Sequence, residues 1–366
     1  SINFWKNRRR AVAAAGSHGK TTITSLLAAI ALEAALDPTV AVGAFLPALD
    51  GANARSGAGP WMIAESDESD GSFLELHPEI AILANVDREH LDHYGTFEAA
   101  RAAFLQFANQ VELHGTLVAC LDDAELRALL PQVRRRLLTY GASPEAALHI
   151  AAARAHSSGA DFSLTLHGQS LGEFHCPLLG AHNILNATAS IGAALLMGAS
   201  ADAARAALRH FAGPSRRMEP KGAARGIAVI DDYGHHPAEI RATLAALRLL
   251  APQRLVVLFQ PHRYTRTQAL LDDFSTAFAD ATLVRVLDIY AASEPPIPGV
   301  TGEAVAQRIR AAGHPDARFV GPLEAAVAAT AAELQPGDLV LTLGAGTITE
   351  AGPLILNALG QESSHG

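Results

Sequence analysis

The chain has 366 residues, of which 49% are hydrophobic and 18% charged, and its formal net charge is −9 at pH 7. This composition predicts a globular protein of two or three domains, disfavours a nucleic-acid binder, and contains no apolar run of the roughly 18–20 residues that span a membrane. Cys120 and Cys176 are too few for a disulfide framework, and the first six residues lack a signal-peptide pattern, so we expect a cytoplasmic protein.

A glycine-rich segment, residues 16–22, lies between the apolar run 11–15 and a helix-forming stretch, residues 23–36. We predict a strand, a phosphate-binding turn and a helix, because backbone N–H groups and a helix N-terminus face the anion in this layout. Lys20 would add a charge, and the Thr21 hydroxyl would reach a magnesium ion. Ala14 replaces a glycine of the strict pattern, so a surface turn with a solvated lysine is the alternative.

Two polar segments follow the next predicted strands, residues 61–64 and 80–84. Residues 65–70 contain four carboxylates, which repel one another unless a cation neutralises them. In the second segment, residues 85–93, His90 and Asp92 could complete a second cation site. A solvated acidic turn and a surface histidine are the alternatives.

The rest of the first half alternates further. We predict a strand at 116–121, a helix from Asp122, an antiparallel section over 149–177, and helices over 184–197 and 201–211. Residues 180–186 lie at a helix entry, where plain capping is favoured over presenting amides and a histidine to an adenine base.

A second α/β unit is expected after the segment 213–215. Its predicted strands are residues 227–230, 255–258, 283–287 and 339–343, and its predicted helices are residues 238–250, 269–279 and 302–311. The fold class is therefore α/β, with a P-loop-type, mostly parallel sheet domain (1–212) that includes a small antiparallel section, and a smaller Rossmann-like domain (213–366).

Charged groups follow strands of the second unit as well. Arg216 and Arg217 lie at the boundary, where an arginine could reach a phosphate. Residues 231–237 combine two carboxylates, a tyrosine and two histidines, and residues 260–266 offer three positive groups to an anionic substrate. Gly344 and Gly346 form only a fragment of a dinucleotide fingerprint.

These motifs, in this order, resemble the Mur ligase family, and within it the branch that adds L-alanine to UDP-N-acetylmuramate in peptidoglycan synthesis. The resemblance implies an ATP-dependent, magnesium-dependent ligase that forms an acyl phosphate before the amine attacks. It also implies small-molecule substrates, no nucleic-acid or membrane partner, and a monomer or homodimer.

The resemblance further implies roles for individual residues. The expected ATP-binding residues are Gly16, Ser17, His18, Gly19, Lys20, Thr21, Thr22, His182, Asn183, Asn186, Arg217 and Asp232. The expected metal ligands are Thr21, Glu68 and His90, and the expected substrate contacts are Tyr233, His235, His262, Arg263 and Arg266. The expected catalytic residues are Lys20, Glu68, His90, Arg217 and His235.

The sequence departs from the family pattern in two places. No lysine lies between Lys20 and Lys221, so the carbamylated lysine of several relatives is not expected. The resemblance implies that the alanine-adding branch lacks it too, so this departure supports that branch. Only fifteen residues precede Gly16, so we expect the N-terminal UDP-binding domain to be missing. The alternatives are a truncated, non-catalytic ATP-binding module and a ligase of the peptide-recycling branch.

Overall fold

The computed structural model describes residues 10–361, except for the side chains of residues 91, 92 and 361. The expectations about the first six residues and about the Asp92 side chain lie outside this part. The chain separates into two compact units between Ser215 and Arg216, whereas the sequence places the boundary after residue 212. No helix within residues 10–361 has the length and hydropathy needed to cross a membrane.

The first unit is built on a ten-stranded sheet. Its strands are β1 (Arg10–Ala15), β2 (Thr39–Leu46), β3 (Ala52–Arg55), β4 (Trp61–Glu65), β5 (Ile80–Leu83), β6 (Thr116–Cys120), β7 (Arg136–Gly141), β8 (Leu148–His156), β9 (Gly159–Leu166) and β10 (Gln169–Cys176). The spatial order is β10-β9-β8-β7-β6-β5-β1-β4-β2-β3. Strands β2 and β4–β8 run parallel to β1, whereas β3, β9 and β10 join through antiparallel pairs.

Helices cover this sheet. They are α1 (Lys20–Glu33), α2 (Leu91–Tyr94), α3 (Phe97–Gln110), α4 (Ala124–Leu129), α5 (His182–Met197) and α6 (Ala201–Arg209). Strand β1 is a run of small and branched apolar residues that is buried on both faces, as expected of a central parallel strand. Helix α5 packs on α1, where the Ser190 hydroxyl donates to the Ile23 carbonyl at 3.0 Å.

The second unit has a six-stranded sheet with the order β11-β12-β16-β13-β14-β15. Its elements are β11 (Glu219–Ala224), β12 (Ile227–Asp232), α7 (Pro237–Arg248), β13 (Arg254–Phe259), α8 (Tyr264–Ala269), α9 (Leu271–Ala277), β14 (Leu283–Leu287), α10 (Gly302–Ala311), β15 (Ala317–Gly321), α11 (Leu323–Glu333), β16 (Asp338–Leu343) and α12 (Ala351–Gln361). The pair β11–β12 is antiparallel, and the other strand pairs of this sheet are parallel. Helices α7 and α10 start at residues that accept backbone N–H groups, His236 and Thr301.

The predicted α/β class with an antiparallel section is confirmed. Two details of the sequence prediction are wrong. The helix expected over residues 269–279 is shorter, α9 at Leu271–Ala277, because the backbone leaves helical geometry at Leu270 and Phe278, and the separate helix α8 before it was not predicted. No side chain caps the start of α5, since its N-cap is Ala181 and Asn183 Nδ2 donates backwards to the Leu179 carbonyl at 2.7 Å.

Candidate active site

The glycine-rich turn lies at the carboxyl ends of three neighbouring strands, β5, β1 and β4. Gly16 and Gly19 have φ angles of +133° and +87°, which L side chains rarely adopt. A Cβ on Gly19 would lie 2.6 Å from Asn186 Oδ1, so any side chain here would have to displace the Asn186 amide. Helix α1 then begins at Lys20 without a side-chain cap, and its first N–H groups are available to an anion.

The segment after β5 fixes the shape of this turn. Asn85 Oδ1 accepts from the His18 amide at 2.8 Å, and Asn85 Nδ2 donates to the His18 carbonyl at 3.1 Å. The Ser17 hydroxyl accepts from the Asp87 amide at 2.8 Å, and His18 Nε2 lies 3.1 Å from Asp87 Oδ2. The turn is therefore held from outside, which preorganises its backbone before any ligand binds.

Lys20 folds back over the turn. Its Nζ donates to the Gly16 carbonyl at 2.7 Å and to Glu68 Oε1 at 2.7 Å. Burial by itself lowers the pKa of Lys20, but the charge and hydrogen bond of Glu68 outweigh it, so this pKa is raised above its ordinary value. Lys20 is therefore a permanent cation, suited to stabilising phosphate charge.

Glu68 is almost fully buried, with 1% of its side chain exposed. Its Oε1 also lies 3.4 Å from His90 Nε2, whereas its Oε2 is buried without a hydrogen-bond partner within the described residues. Ligand atoms of Glu68, Glu89 and His90 all lie within 4.8 Å of one another. An orphaned carboxylate oxygen beside further oxygen and nitrogen donors fits a divalent cation, because a buried anionic lone pair is strongly destabilising without a partner.

The other carboxylates of residues 65–70 have different contacts. Glu65 Oε1 accepts from Thr21 Oγ1 at 2.8 Å and Glu65 Oε2 accepts from the Gly43 amide at 2.9 Å. Asp67 and Asp70 accept the amides two residues ahead, as turn-forming aspartates do. The segment is therefore not one four-carboxylate metal site, and only Glu68 is close to both Lys20 and His90.

The predicted adenine-side residues lie at the start of α5. Asn183 and Asn186 are buried, and Asn186 Nδ2 donates to Asn183 Oδ1 at 2.9 Å. The Asn186 side-chain amide also packs against Gly19, so Asn186 lies beside the glycine-rich turn. His182 and Thr22 lie at the first turns of α5 and α1 respectively.

In the second unit, a buried aspartate organises the segment that contains the two arginines. Asp231 is fully buried and accepts from Thr342 Oγ1 at 2.6 Å, Thr349 Oγ1 at 2.9 Å and Arg216 Nε at 3.2 Å. Arg216 Nη2 donates to the Gly344 carbonyl at 2.6 Å. Arg216 is therefore a structural residue, and the glycine segment after β16 serves as its acceptor.

The neighbouring Asp232 anchors the same turn. Its oxygens accept from the amides of Met218 and Gly234, each at 2.8 Å. Burial raises its pKa, and Arg217 opposes that shift. Arg217 Nη1 lies 3.7 Å from Glu239 Oε1 and its guanidinium lies 5.3 Å from the Tyr233 ring centroid.

Two histidines with complementary tautomers meet beyond the ends of β12 and β13. His235 Nδ1 lies 3.1 Å from the Tyr233 carbonyl, which only accepts, so Nδ1 carries the proton. His262 Nδ1 lies 3.1 Å from Arg266 Nη1, which only donates, so the His262 proton is on Nε2. Burial, with the nearby arginines, lowers the pKa of His235 to about 3 and that of His262 to about 4, so both rings are neutral.

The loop after β13 holds the remaining predicted substrate residues. Arg263 has a φ of +69°, and its amide donates to the Tyr290 carbonyl at 2.8 Å. The His262 ring stacks on Tyr290, with centroids 5.5 Å apart. Glu294 accepts from the Thr265 amide and hydroxyl at 3.0 and 2.7 Å, which positions the start of α8.

The chain matches two known protein domains. The Mur ligase middle domain matches residues 61–194, and the glutamate ligase domain of Mur ligases matches residues 216–346. The chain belongs to the Mur ligase family.

Individual Mur ligases are similar along nearly the whole chain. The UDP-N-acetylmuramate–L-alanine ligase of Solibacter usitatus (strain Ellin6076) is 50% identical over 351 residues, covering 96% of this chain and 74% of that protein. The crystal structure of UDP-N-acetylmuramate–alanine ligase from Thermotoga maritima has a TM-score of 0.79 at 26% identity and covers 99% of this chain and 77% of that chain. MurF ligase from Thermotoga maritima, solved with ADP, shares the fold, with a TM-score of 0.76 at 17% identity over 99% of this chain and 83% of that chain.

In this Mur ligase, sequence reasoning missed several residues that shape the candidate site. Glu65 and Asn85 belonged to segments singled out by their polarity, but their partners Thr21 and His18 are distant in the sequence. Glu239 had a local signal as the third residue of α7, whose N-cap is His236. Tyr290 had no local sequence signal, because an isolated β-bridge between two loops pairs it with His262.

Proposed function

We propose that this chain joins L-alanine to UDP-N-acetylmuramate at the expense of ATP, through an acyl phosphate of the muramate carboxylate. The observation that carries the proposal is the contact of Lys20 with Glu68 beside the preorganised turn. The relative from Solibacter usitatus, half identical to this chain, bears the name of that activity.

The first unit would bind the nucleotide. Residues 16–19 and the N-terminus of α1 offer N–H groups to the phosphates, while Lys20 supplies a fixed positive charge. His182, Asn183 and Asn186 would lie beside the adenine.

Thr21, Glu68 and His90 would hold magnesium, and the orphaned Glu68 Oε2 is the oxygen best placed to ligate it. Magnesium, when bound, neutralises charge on the transferring phosphoryl group. Glu65 would orient the Thr21 hydroxyl that it already contacts.

The second unit would bind the reacting groups. Arg217 would contact the transferred phosphate, and Asp232 would contact the ribose. Arg263 and Arg266 would pair with a carboxylate, and His262 would donate to it from Nε2. Neutral His235 would accept a hydrogen bond from the incoming amine at Nε2, while Tyr233 lies against its ring.

An acceptor panel tests this proposal. Phosphate release by the full chain is measured with ATP, magnesium and UDP-N-acetylmuramate, together with L-alanine, glycine, L-serine or a muropeptide. We expect release with L-alanine to exceed the other acceptors. Preference for the muropeptide would favour the peptide-recycling branch, and nucleotide binding without any release would favour a non-catalytic module.

The monomeric or dimeric state and a cytoplasmic location stay predictions.

A further inference from the structure

A second group of metal-ligating side chains lies on the antiparallel strands of the large sheet, away from the candidate active site. His156 ends β8, Asp161 lies on β9 and His175 lies on the edge strand β10. Asp161 is directly opposite His175, and Gly159, two residues before Asp161, is opposite His156. Because side chains alternate along a strand, all three project from the same face.

The three side chains already converge on one point. His175 Nδ1 lies 2.7 Å from Asp161 Oδ1, and His156 Nε2 lies 3.2 Å from Asp161 Oδ2. The two imidazole rings stack with their centroids 5.8 Å apart. One ligand atom from each residue lies within 4.8 Å of the other two, so a small ion would need only local adjustment to contact all three.

We propose that His156, Asp161 and His175 form a binding site for a divalent transition-metal ion of the zinc class. Two imidazole nitrogens and one carboxylate oxygen are the donors that zinc, cobalt and nickel prefer, whereas magnesium prefers oxygen ligands. Three protein ligands leave a fourth position for water. The side chains are 25%, 61% and 37% exposed in chain order, so an ion can enter from solution.

The outer contact of His156 includes a hydroxyl that can either donate or accept. Its Nδ1 lies 3.0 Å from Ser158 Oγ and 3.3 Å from the Ser158 amide nitrogen. Without metal, the His156 proton is on Nε2, facing Asp161, and Nδ1 accepts. When an ion replaces that proton at Nε2, the proton moves to Nδ1, the Ser158 hydroxyl rotates to accept it, and the Ser158 amide, which donates to Nδ1 at 3.3 Å in the metal-free form, has to move away. Ring nitrogens of metal-bound histidines usually have such a partner.

An ion at this site would link β8, β9 and β10. Their opposite face packs in the hydrophobic core, and β10 has a neighbour on one side only. Binding to the folded form alone would stabilise the antiparallel section by mass action. The competing interpretation is a surface hydrogen-bonded triad that binds no metal.

Cobalt titration of the full chain distinguishes these interpretations. The titration is followed by calorimetry and by visible absorption, in a His90→Gln background with excess magnesium, so that cobalt binding by the candidate active-site ligands is reduced. His175→Gln and Asp161→Asn are added separately. His167→Gln is the matched control, because His167 lies in the turn at the opposite end of the β9–β10 hairpin.

We expect one equivalent of cobalt to bind with visible d–d absorption in the background protein and in the control. His175→Gln and Asp161→Asn should each weaken binding at least ~10-fold, and Ser158→Ala should weaken it about 10-fold. Unchanged affinity in folded His175→Gln and Asp161→Asn proteins, judged by circular dichroism, would overturn the proposal. Absence of binding in the His90→Gln background would overturn it equally.

Discussion

Lys20 Nζ lies 2.7 Å from Glu68 Oε1, whereas the second oxygen of Glu68 is buried and accepts no hydrogen bond from any described residue. Lys20 neutralises the Glu68 carboxylate, and the unpaired oxygen of Glu68 can accept a divalent cation that binds together with the nucleotide. The same lysine is held over the turn by the Gly16 carbonyl. Positive charge is therefore positioned beside N–H groups before any nucleotide binds.

Lys20→Ala should reduce turnover about 10²–10³-fold, the scale of losing one preorganised donor to developing charge. Lys221→Ala is the control, because Lys221 pairs with Glu219 on β11 in the other unit. Steady-state phosphate release measures both. Near-normal release by Lys20→Ala would remove Lys20 from the mechanism.

Gly19→Ala should abolish tight nucleotide binding, because its Cβ would clash with Asn186 at 2.6 Å. Gly168→Ala is a matched control, since Gly168 has a similar φ of +80° but nothing within 4 Å of an added Cβ. Both variants should lose about 1–2 kcal/mol of stability from backbone strain. Calorimetry with an ATP analogue should show lost affinity in Gly19→Ala alone, and equal losses would contradict the steric argument.

Asp231→Asn should lower the free energy of unfolding by about 3 kcal/mol, since it leaves Arg216 without its buried partner. It should also lower kcat about 10- to 100-fold, because the turn that contains Arg217 would shift. Asp338→Asn breaks a similar buried pair with Arg254. It should destabilise comparably yet retain kcat per folded molecule, measured after denaturant titration of both variants. Full kcat in Asp231→Asn would show that this turn does not position Arg217.

Stability should fall as the pH drops below 6.5, the ordinary pKa of histidine. His235 and His262 have folded-state pKa values of about 3 and about 4. Between these values and 6.5, both histidines are protonated in the unfolded chain but neutral in the folded chain, so acid favours unfolding. Each ring should reduce stability by about 2 kcal/mol between pH 7.5 and 5. His262→Asn should flatten this profile in urea titrations followed by circular dichroism, and exposed His77→Asn should not. Parallel profiles for wild type and His262→Asn would contradict the neutral-ring assignment.

The sequence predicts the strands around the phosphate turn well because their signals are local. Strand β1 is an apolar run directly before glycines, and β14 and α10 have the predicted bounds, residues 283–287 and 302–311. The strand pattern is weaker where residues face solvent, so β3, β11 and β15 were not predicted. The helix expected over 269–279 is present as α9 but shorter, and α8 was missed, because periodicity does not report the break at Leu270.

Residue types in the candidate site were visible in the sequence, but their partners were not. Composition alone gave no reason to separate Glu68, which contacts Lys20, from Glu65, which contacts Thr21, and only the family resemblance singled out Glu68. By residue type alone Asp231 and Asp232 were equivalent; both are buried, but Asp231 accepts from Arg216 and Asp232 accepts from the Met218 amide. These distinctions depend on contacts between distant segments, which periodicity and spacing do not encode.

The most direct test of the account is magnesium-dependent binding of a non-hydrolysable ATP analogue, measured by calorimetry in wild type, Glu68→Gln and the exposed-residue control Glu98→Gln. Magnesium should tighten binding of the analogue ~10-fold or more in wild type and in the control, and have little effect in Glu68→Gln. A 10-fold change corresponds to about the strength of one charge-assisted contact. Equal magnesium dependence in all three proteins would contradict the assignment of Glu68 to the cation. Failure of the wild type to bind the analogue would contradict the nucleotide site itself.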